Sequence, residues 1–140
     1  PTHQSVEDTK NSIANYFMSA PLGKYGIELK ENQQFIGTID LRVQENEDNA
    51  EIGYALNKNY WGRGFVPEAS QALIKLGFEE LNLVRIFAYH DAENPKSGRV
   101  MEKLGMKKEG IIPDARRFKG KIVSVVLRGL TRQEWQAGRS

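Results

Sequence analysis

Two short segments of this chain hold residues suited to gripping an extended, anionic ligand. The first is Asn59-Tyr60-Trp61-Gly62-Arg63-Gly64-Phe65-Val66. Glycines let a backbone approach a ligand closely, free N–H groups at a helix N-terminus attract phosphate, and Arg63 adds a charged donor. A tight strand-to-helix turn would need the same glycines. The spacing fits neither G-x-x-x-x-G-K-[ST] nor G-x-G-x-x-G, so neither a P-loop nor a Rossmann fingerprint applies. The second segment is Asn94-Pro95-Lys96-Ser97. Asn94 suits a helix cap and Pro95 a first helical position, and Ser97 places a hydroxyl in the first turn. His90, at a strand end, has an unperturbed pKa of ~6.5, suited to moving a proton near neutrality. Basic residues gather further on, at Arg116-Arg117 and around Lys119 and Lys121. They suit an acidic acceptor, phosphates, or simple solvation.

These residues need elements to position them. Ser5-Val6-Glu7-Asp8 opens like a capped helix, Ile13, Tyr16 and Phe17 recur at helical spacing, and Ala20-Pro21 closes the segment. Tyr25–Leu29, Phe35–Val43 and Ala50–Leu56 read as strands from their β-branched residues and alternation. From Phe65 to Leu81 the period changes. Phe65, Ala69, Ala72, Leu73 and Leu76 form one apolar helical face, and Pro67 fits only in its first turn. Leu83–Tyr89 is a strand, Pro95–Leu104 a short helix stopped by Gly105, and Lys107–Phe118 with Lys121–Leu130 a terminal hairpin. Trp135 suits packing of a final helical turn. The order α-β-β-β-α-β-α-β-β indicates a mixed sheet with helices on its faces. Both chemistry-bearing segments then fall at strand-to-helix junctions joined through one β-α-β unit. Such junctions can open at the same sheet edge, where α/β ligands often bind.

At 140 residues, 39% hydrophobic and 27% charged, the chain fits a single globular domain over residues 1–140. With no cysteine and only His3 and His90, Cys-ligated or multi-histidine metal sites and thiol nucleophiles are excluded within it. No apolar run approaches the ~18 residues of a membrane span, and no apolar signal core opens the chain, so a cytoplasmic location is expected. The net charge of +2 conceals a split. Residues 1–95 carry 8 basic and 14 acidic groups, while residues 96–140 carry 12 basic and 4 acidic ones. A polyanionic ligand would prefer the second part.

Glu51-Ile52-Gly53-Tyr54, Tyr60 through Ala69, Asn94 through Ser97 and Glu102 through Gly110 follow one another in an informative order. Together they resemble the GNAT superfamily of N-acetyltransferases, and within it the ribosomal-protein-alanine N-acetyltransferase subgroup. The opening His3–Thr9 fits that subgroup too. The resemblance implies a GNAT-like α/β (α+β) fold: a mixed, mostly antiparallel twisted sheet with helices on both faces. Here the usual first strand and helix are expected to be missing, so the domain is expected to be N-terminally incomplete or its edge filled by a partner chain.

The same resemblance implies acetyl-CoA as co-substrate, no metal, and residue roles. Trp61, Gly62, Arg63, Gly64, Phe65 and Val66 would form the loop whose backbone amides hold the pyrophosphate. Trp61 stands where Gln or Arg is common, as in the subgroup, and Val66 where Gly or Ala is usual. Ala55 and Leu56 would pair with the pantetheine amides, Asn94 would hydrogen-bond the cofactor arm, and Ser97 would lie near the sulfur and protonate the leaving thiolate. Attack by an amine needs a neutral nitrogen, and an α-amine near ~8 is easier to deprotonate than a lysine near ~10. Backbone N–H groups can stabilise the resulting oxyanion, and a general base should take the amine proton. Glu51, on the strand leading into the loop, is the first candidate base, and a solvent-facing Glu51 is the plain alternative.

The expected reaction is acetyl transfer to a primary amine, above all a protein N-terminus, by direct attack in a ternary complex. A polyamine or antibiotic amine is the rival acceptor, and a catalytically silent CoA-binding module the rival class. No membrane and no direct nucleic-acid partner is expected, and a homodimer is left open.

Overall fold

The computed structural model describes residues 14–20, 24–44, 47–57, 59 and 65–138. Strands β1 (Ala14–Ala20), β2 (Lys24–Leu29), β3 (Phe35–Gln44) and β4 (Asn49–Leu56) precede helix α1 (Phe65–Glu79). Then come β5 (Arg85–Asp91), α2 (Pro95–Lys103), β6 (Lys107–Phe118), β7 (Lys121–Thr131) and α3 (Arg132–Ala137). The seven strands form one sheet in the order β1-β2-β3-β4-β5-β7-β6. Only β4 and β5 run parallel. This is the mixed, mostly antiparallel sheet expected from the sequence.

One element differs. The helix expected up to Ala20 is, over its described part, the edge strand β1, with Ala14 opposite Leu29 and Met18 opposite Tyr25. Tyr16 and Phe17 fit a helical spacing, but aromatic residues also favour strands, and pairing with β2 decides between them. Ser5 through Ile13 lie outside the described residues.

The sheet buries one face. Ile27, Ile39, Leu41, Ala50, Ile52, Ile86, Ala88 and Leu130 alternate onto it and form a single core with Ala69, Leu73, Ile74 and Phe78 of α1 and Met101 of α2. Trp135 of α3 packs against the same core, its ring 5.2 Å from that of Phe78. The described helices thus share that face. The other face, expected to carry a helix too, has none among the described residues and presents Asp40, Arg42, Glu51 and Arg85 beside the apolar Phe87, Tyr89 and Val125.

The helix ends follow from sequence. Pro67 is the third residue of α1, where a missing N–H breaks no intrahelical bond. Gly105 ends α2 in the left-handed region at φ +88°. Its N–H donates to Glu102 O at 2.9 Å and that of Met106 to Met101 O at 3.0 Å, a Schellman closure. Thr131 caps α3. Its hydroxyl accepts from Glu134 N at 3.1 Å, while the Glu134 carboxylate accepts from Thr131 N at 2.9 Å.

The Thr131 backbone bond and then the Lys107 ammonium, 2.9 Å away, hold the Glu134 carboxyl below the usual carboxylate range. A depressed carboxyl pKa stabilises the fold fully above its unfolded value of ~4.3, and that contribution fades as pH falls through the folded value. Glu134→Gln is therefore expected to cost stability at pH 7 and less at pH 3, whereas Thr131→Ala, which keeps the backbone N–H, should cost about 1 kcal/mol at both. Urea midpoints at the two pH values check both.

Candidate active site

The parallel pairing at the sheet's centre is short. Asn49, Ala50 and Glu51 stand opposite Arg85, Ile86 and Phe87, and there the β4–β5 ladder ends. Beyond it β4 pairs only with β3, as far as Leu56 opposite Gly37, while β5 pairs only with β7, as far as Asp91 opposite Val125. The two strands fork. The outward edge of β4 from Ile52 to Leu56 has no ladder partner among the described residues. An unpaired strand edge is a row of N–H and C=O groups that an extended amide-bearing ligand can pair with.

The C-terminal ends of both strands leave this fork. β4 leads toward the N-terminus of α1, and β5 leads through Glu93 and Asn94 into α2. Ala55 and Leu56 lie on the forked half of β4. Phe65 begins α1 with its ring in the core, 4% exposed, so only its backbone faces the ligand task assigned to it. Val66 follows in the same first turn. Trp61, Gly62, Arg63 and Gly64 lie outside the described residues.

Asn94 caps α2, its carbonyl oxygen accepting from Ser97 N at 3.4 Å. The cap uses the oxygen, leaving the amide nitrogen as the group that can donate to a ligand. Ser97 is half-buried in the first turn.

Glu51 is the last paired residue of β4 before the fork and lies on the face away from the helices. Its carboxylate is 3.5 Å from Arg42 Nη2, and Arg42 Nε is 3.3 Å from Asp40. Gly53 makes the room, since a Cβ there would lie 2.7 Å from the guanidinium. Glu51 is thus held beside the fork rather than turned into solvent, its side chain 27% exposed. Arg42 and Asp40 carry no motif signal. Their i, i+2 alternation on β3, opposite Gly53 and Glu51, is the pattern that places them there.

His90 lies on the opposite face, against Gly98 of α2, whose added Cβ would sit 3.2 Å from the ring. Arg128 Nε donates to its Nε2 at 3.0 Å, and its Nδ1 is 2.9 Å from Asp91 O. The partners assign the Nδ1–H tautomer and leave neither nitrogen for an acceptor amine. The sheet separates His90 from Glu51, so the two cannot serve one amine. His90→Gln is expected to keep kcat within about threefold of wild type, where a general base would cost ~10² or more. Steady-state kinetics decide.

At the end of β5 a cavity of about 240 Å³ is lined by Asp91, Glu93, Asn94, Phe118, Lys119 and Lys121, among others. It joins the α2 cap to the β6–β7 turn. No group of three or more His, Asp or Glu able to hold a metal occurs among the described residues. No described helix is long and apolar enough to cross a membrane.

A forked parallel pair, a free strand edge and the capped N-terminus of α2 beyond the end of β5 are the described features of this region. The chain belongs to the GNAT acetyltransferase family: the acetyltransferase (GNAT) domain model matches residues 1–107. It is 36% identical to the uncharacterized N-acetyltransferase p20 of Bacillus licheniformis over 131 residues, 93% of this chain and 74% of that protein. It is 32% identical to the [ribosomal protein uS5]-alanine N-acetyltransferase of Escherichia coli over 117 residues, 82% of this chain and 60% of that protein. A crystal structure of a GNAT-family acetyltransferase from Bacillus anthracis superposes with a TM-score of 0.73 at 31% identity, covering 79% of this chain and 67% of that one. Spermidine N-acetyltransferase SpeG of Vibrio cholerae shares the fold at a TM-score of 0.78, with 18% identity over 94% of this chain and 73% of that one. GNAT acetyltransferases use acetyl-CoA as co-substrate, and the free edge of β4, the Asn94 amide and the first turn of α1 fit an amide- and phosphate-bearing arm.

Proposed function

We propose that this chain transfers the acetyl group of acetyl-CoA directly to the α-amine of a protein N-terminus, within a ternary complex. The observation that carries this reading is the fork after Glu51 and Phe87, with its unpaired β4 edge and the Asn94 cap beyond the end of β5. Ala55 and Leu56 pair with the arm of the co-substrate through their backbone, and Asn94 donates its amide hydrogens to it. The first turn of α1, with Trp61 through Val66, receives the phosphates. Glu51 takes the amine proton, directly or through one water, and the Ser97 hydroxyl returns a proton to the departing thiolate. This chain has no cysteine to carry the acetyl group, which favours direct attack. The acceptor class is drawn from the likeness to the uS5-alanine enzyme, which spans most of this chain.

The test is thiol release from acetyl-CoA with peptides bearing a free N-terminus, the same peptides N-terminally blocked, and spermidine. Turnover with free but not blocked peptides is expected. Turnover with spermidine alone would replace the acceptor, and none with any amine would leave a CoA-binding module.

A further inference from the structure

We infer that the cavity at the β6–β7 turn takes a carboxylate of the acceptor, so that the preferred acceptor is a peptide N-terminus with an acidic residue close behind it. This rests on the acceptor reading above. The cavity adjoins Asn94, the residue assigned to the co-substrate arm, and lies on the Glu51 face of the sheet, since Asp91 shares its parity on β5 with Phe87 opposite Glu51.

Its charge is one-sided. Asp91 is already engaged by Arg116 Nη2 at 2.7 Å, and Glu93 by Lys121 Nζ at 3.3 Å. Lys119 has no carboxylate partner among the described residues. Three cations, Arg116, Lys119 and Lys121, therefore stand around two carboxylates, each of which already has a basic partner. A cationic amine meets net repulsion here, and a carboxylate meets donors. Phe118 forms the apolar wall, with Arg116 5.2 Å and Lys119 5.3 Å from its ring centroid. These contacts set both cations beside the ring.

The turn fixes Lys119 further. Phe118 pairs with Lys121, leaving Lys119 and Gly120 as a two-residue connection with φ of +53° and +75°. Asn, Asp or Gly is the usual first residue of such a turn, and a lysine there is held in the left-handed region at some cost. Its side chain extends from that backbone at the rim of the cavity. A volume of about 240 Å³ admits one side chain of aspartate or glutamate size with water, not a folded surface.

The test uses peptides of one length and one N-terminal alanine, with Asp, Ser or Lys at the next two positions. On the wild-type protein, kcat/KM is expected to fall in that order by about tenfold from Asp to Lys, and the gap should shrink at high salt. In Lys119→Glu/Lys121→Glu the order should invert. Binding of the same peptides is followed independently of turnover by amide shifts at Phe118 and Lys119. Acetylation without any charge preference, and without shifts at the turn, overturns this inference and leaves the function standing. Shifts with the acidic peptide but no acetylation of any peptide uphold the site and overturn the function. A variant that raises KM for acetyl-CoA while the peptide order stays put overturns it as well, because the cations would then serve the co-substrate's phosphates.

Discussion

Glu51→Gln is expected to lower kcat by ~10² to 10³ and to leave the affinity for acetyl-CoA almost unchanged. Gln keeps the shape of Glu51 and can still meet the Arg42 guanidinium, which lies 3.5 Å from the native carboxylate. It cannot accept a proton from an amine. The co-substrate's contacts in this reading are backbone groups of β4 and the Asn94 amide, neither of which the substitution touches. The loss should therefore fall on kcat with little change in KM for acetyl-CoA, the split that marks an interaction made in the transition state. An unfolded variant would instead lose binding, which calorimetry with CoA detects. A Glu51→Gln protein as fast as wild type would remove Glu51 from the chemistry.

Ile86→Ala is expected to cost about 3 to 4 kcal/mol, a large part of the whole stability of a domain. Ile86 is 0% exposed in the middle of the sheet, and it stands opposite Ala50 in the short parallel register. Its Cδ1 is also the nearest atom to Gly77 of α1, 3.0 Å from where a Cβ would be, with Leu83 at 3.1 Å and Leu41 at 3.3 Å. The helix sits so close that a methyl at position 77 has no room. Gly77→Ala alone should destabilise or gain nothing, because crowding offsets the ~1 kcal/mol that alanine gains over glycine in a helix. In the Ile86→Ala background the nearest crowding atom is gone and Leu83 and Leu41 have space to give, so Gly77→Ala should recover up to about 1 kcal/mol. A double-mutant cycle from urea unfolding would show that coupling, and strict additivity would contradict the close approach.

Much of this architecture is legible in the residues because local signals agree with the tertiary outcome. Pro67 restricts where α1 can start, and the helix begins at Phe65. Asn94-Pro95 and Gly105 bracket α2 with a cap and a stop, and Lys119-Gly120 defines the last hairpin. Ala14–Ala20 misleads because its aromatic residues satisfy two periods, and only β2 beside it selects one. The expected site divides the same way. Glu51 stands at the last β4–β5 pair and Asn94 caps α2 beyond the end of β5, both on the elements that the sequence order predicts. His90 has suitable chemistry but the wrong parity on β5, which sends it to the helix-covered face against Arg128. The Arg42–Asp40 pair is silent in sequence, since its partners come from a neighbouring strand and its space from the missing side chain of Gly53.

The short β4–β5 register also has a mechanical meaning. The sheet consists of two plates, β1 to β4 and β5 with β7 and β6, joined by three residue pairs and by α1 lying against β3, β4 and β5. A ligand that bonds to both plates is a splint across this seam. Occupancy at a hundred times Kd adds about 2.7 kcal/mol to the folded state. Amide exchange should register that gain most strongly along the seam, from Ile52 to Leu56 and from Ala88 to Asp91. The same bare edge is a template for pairing with another chain until it is covered. In this protein the co-substrate would then act as a guard against self-association as well as a reagent.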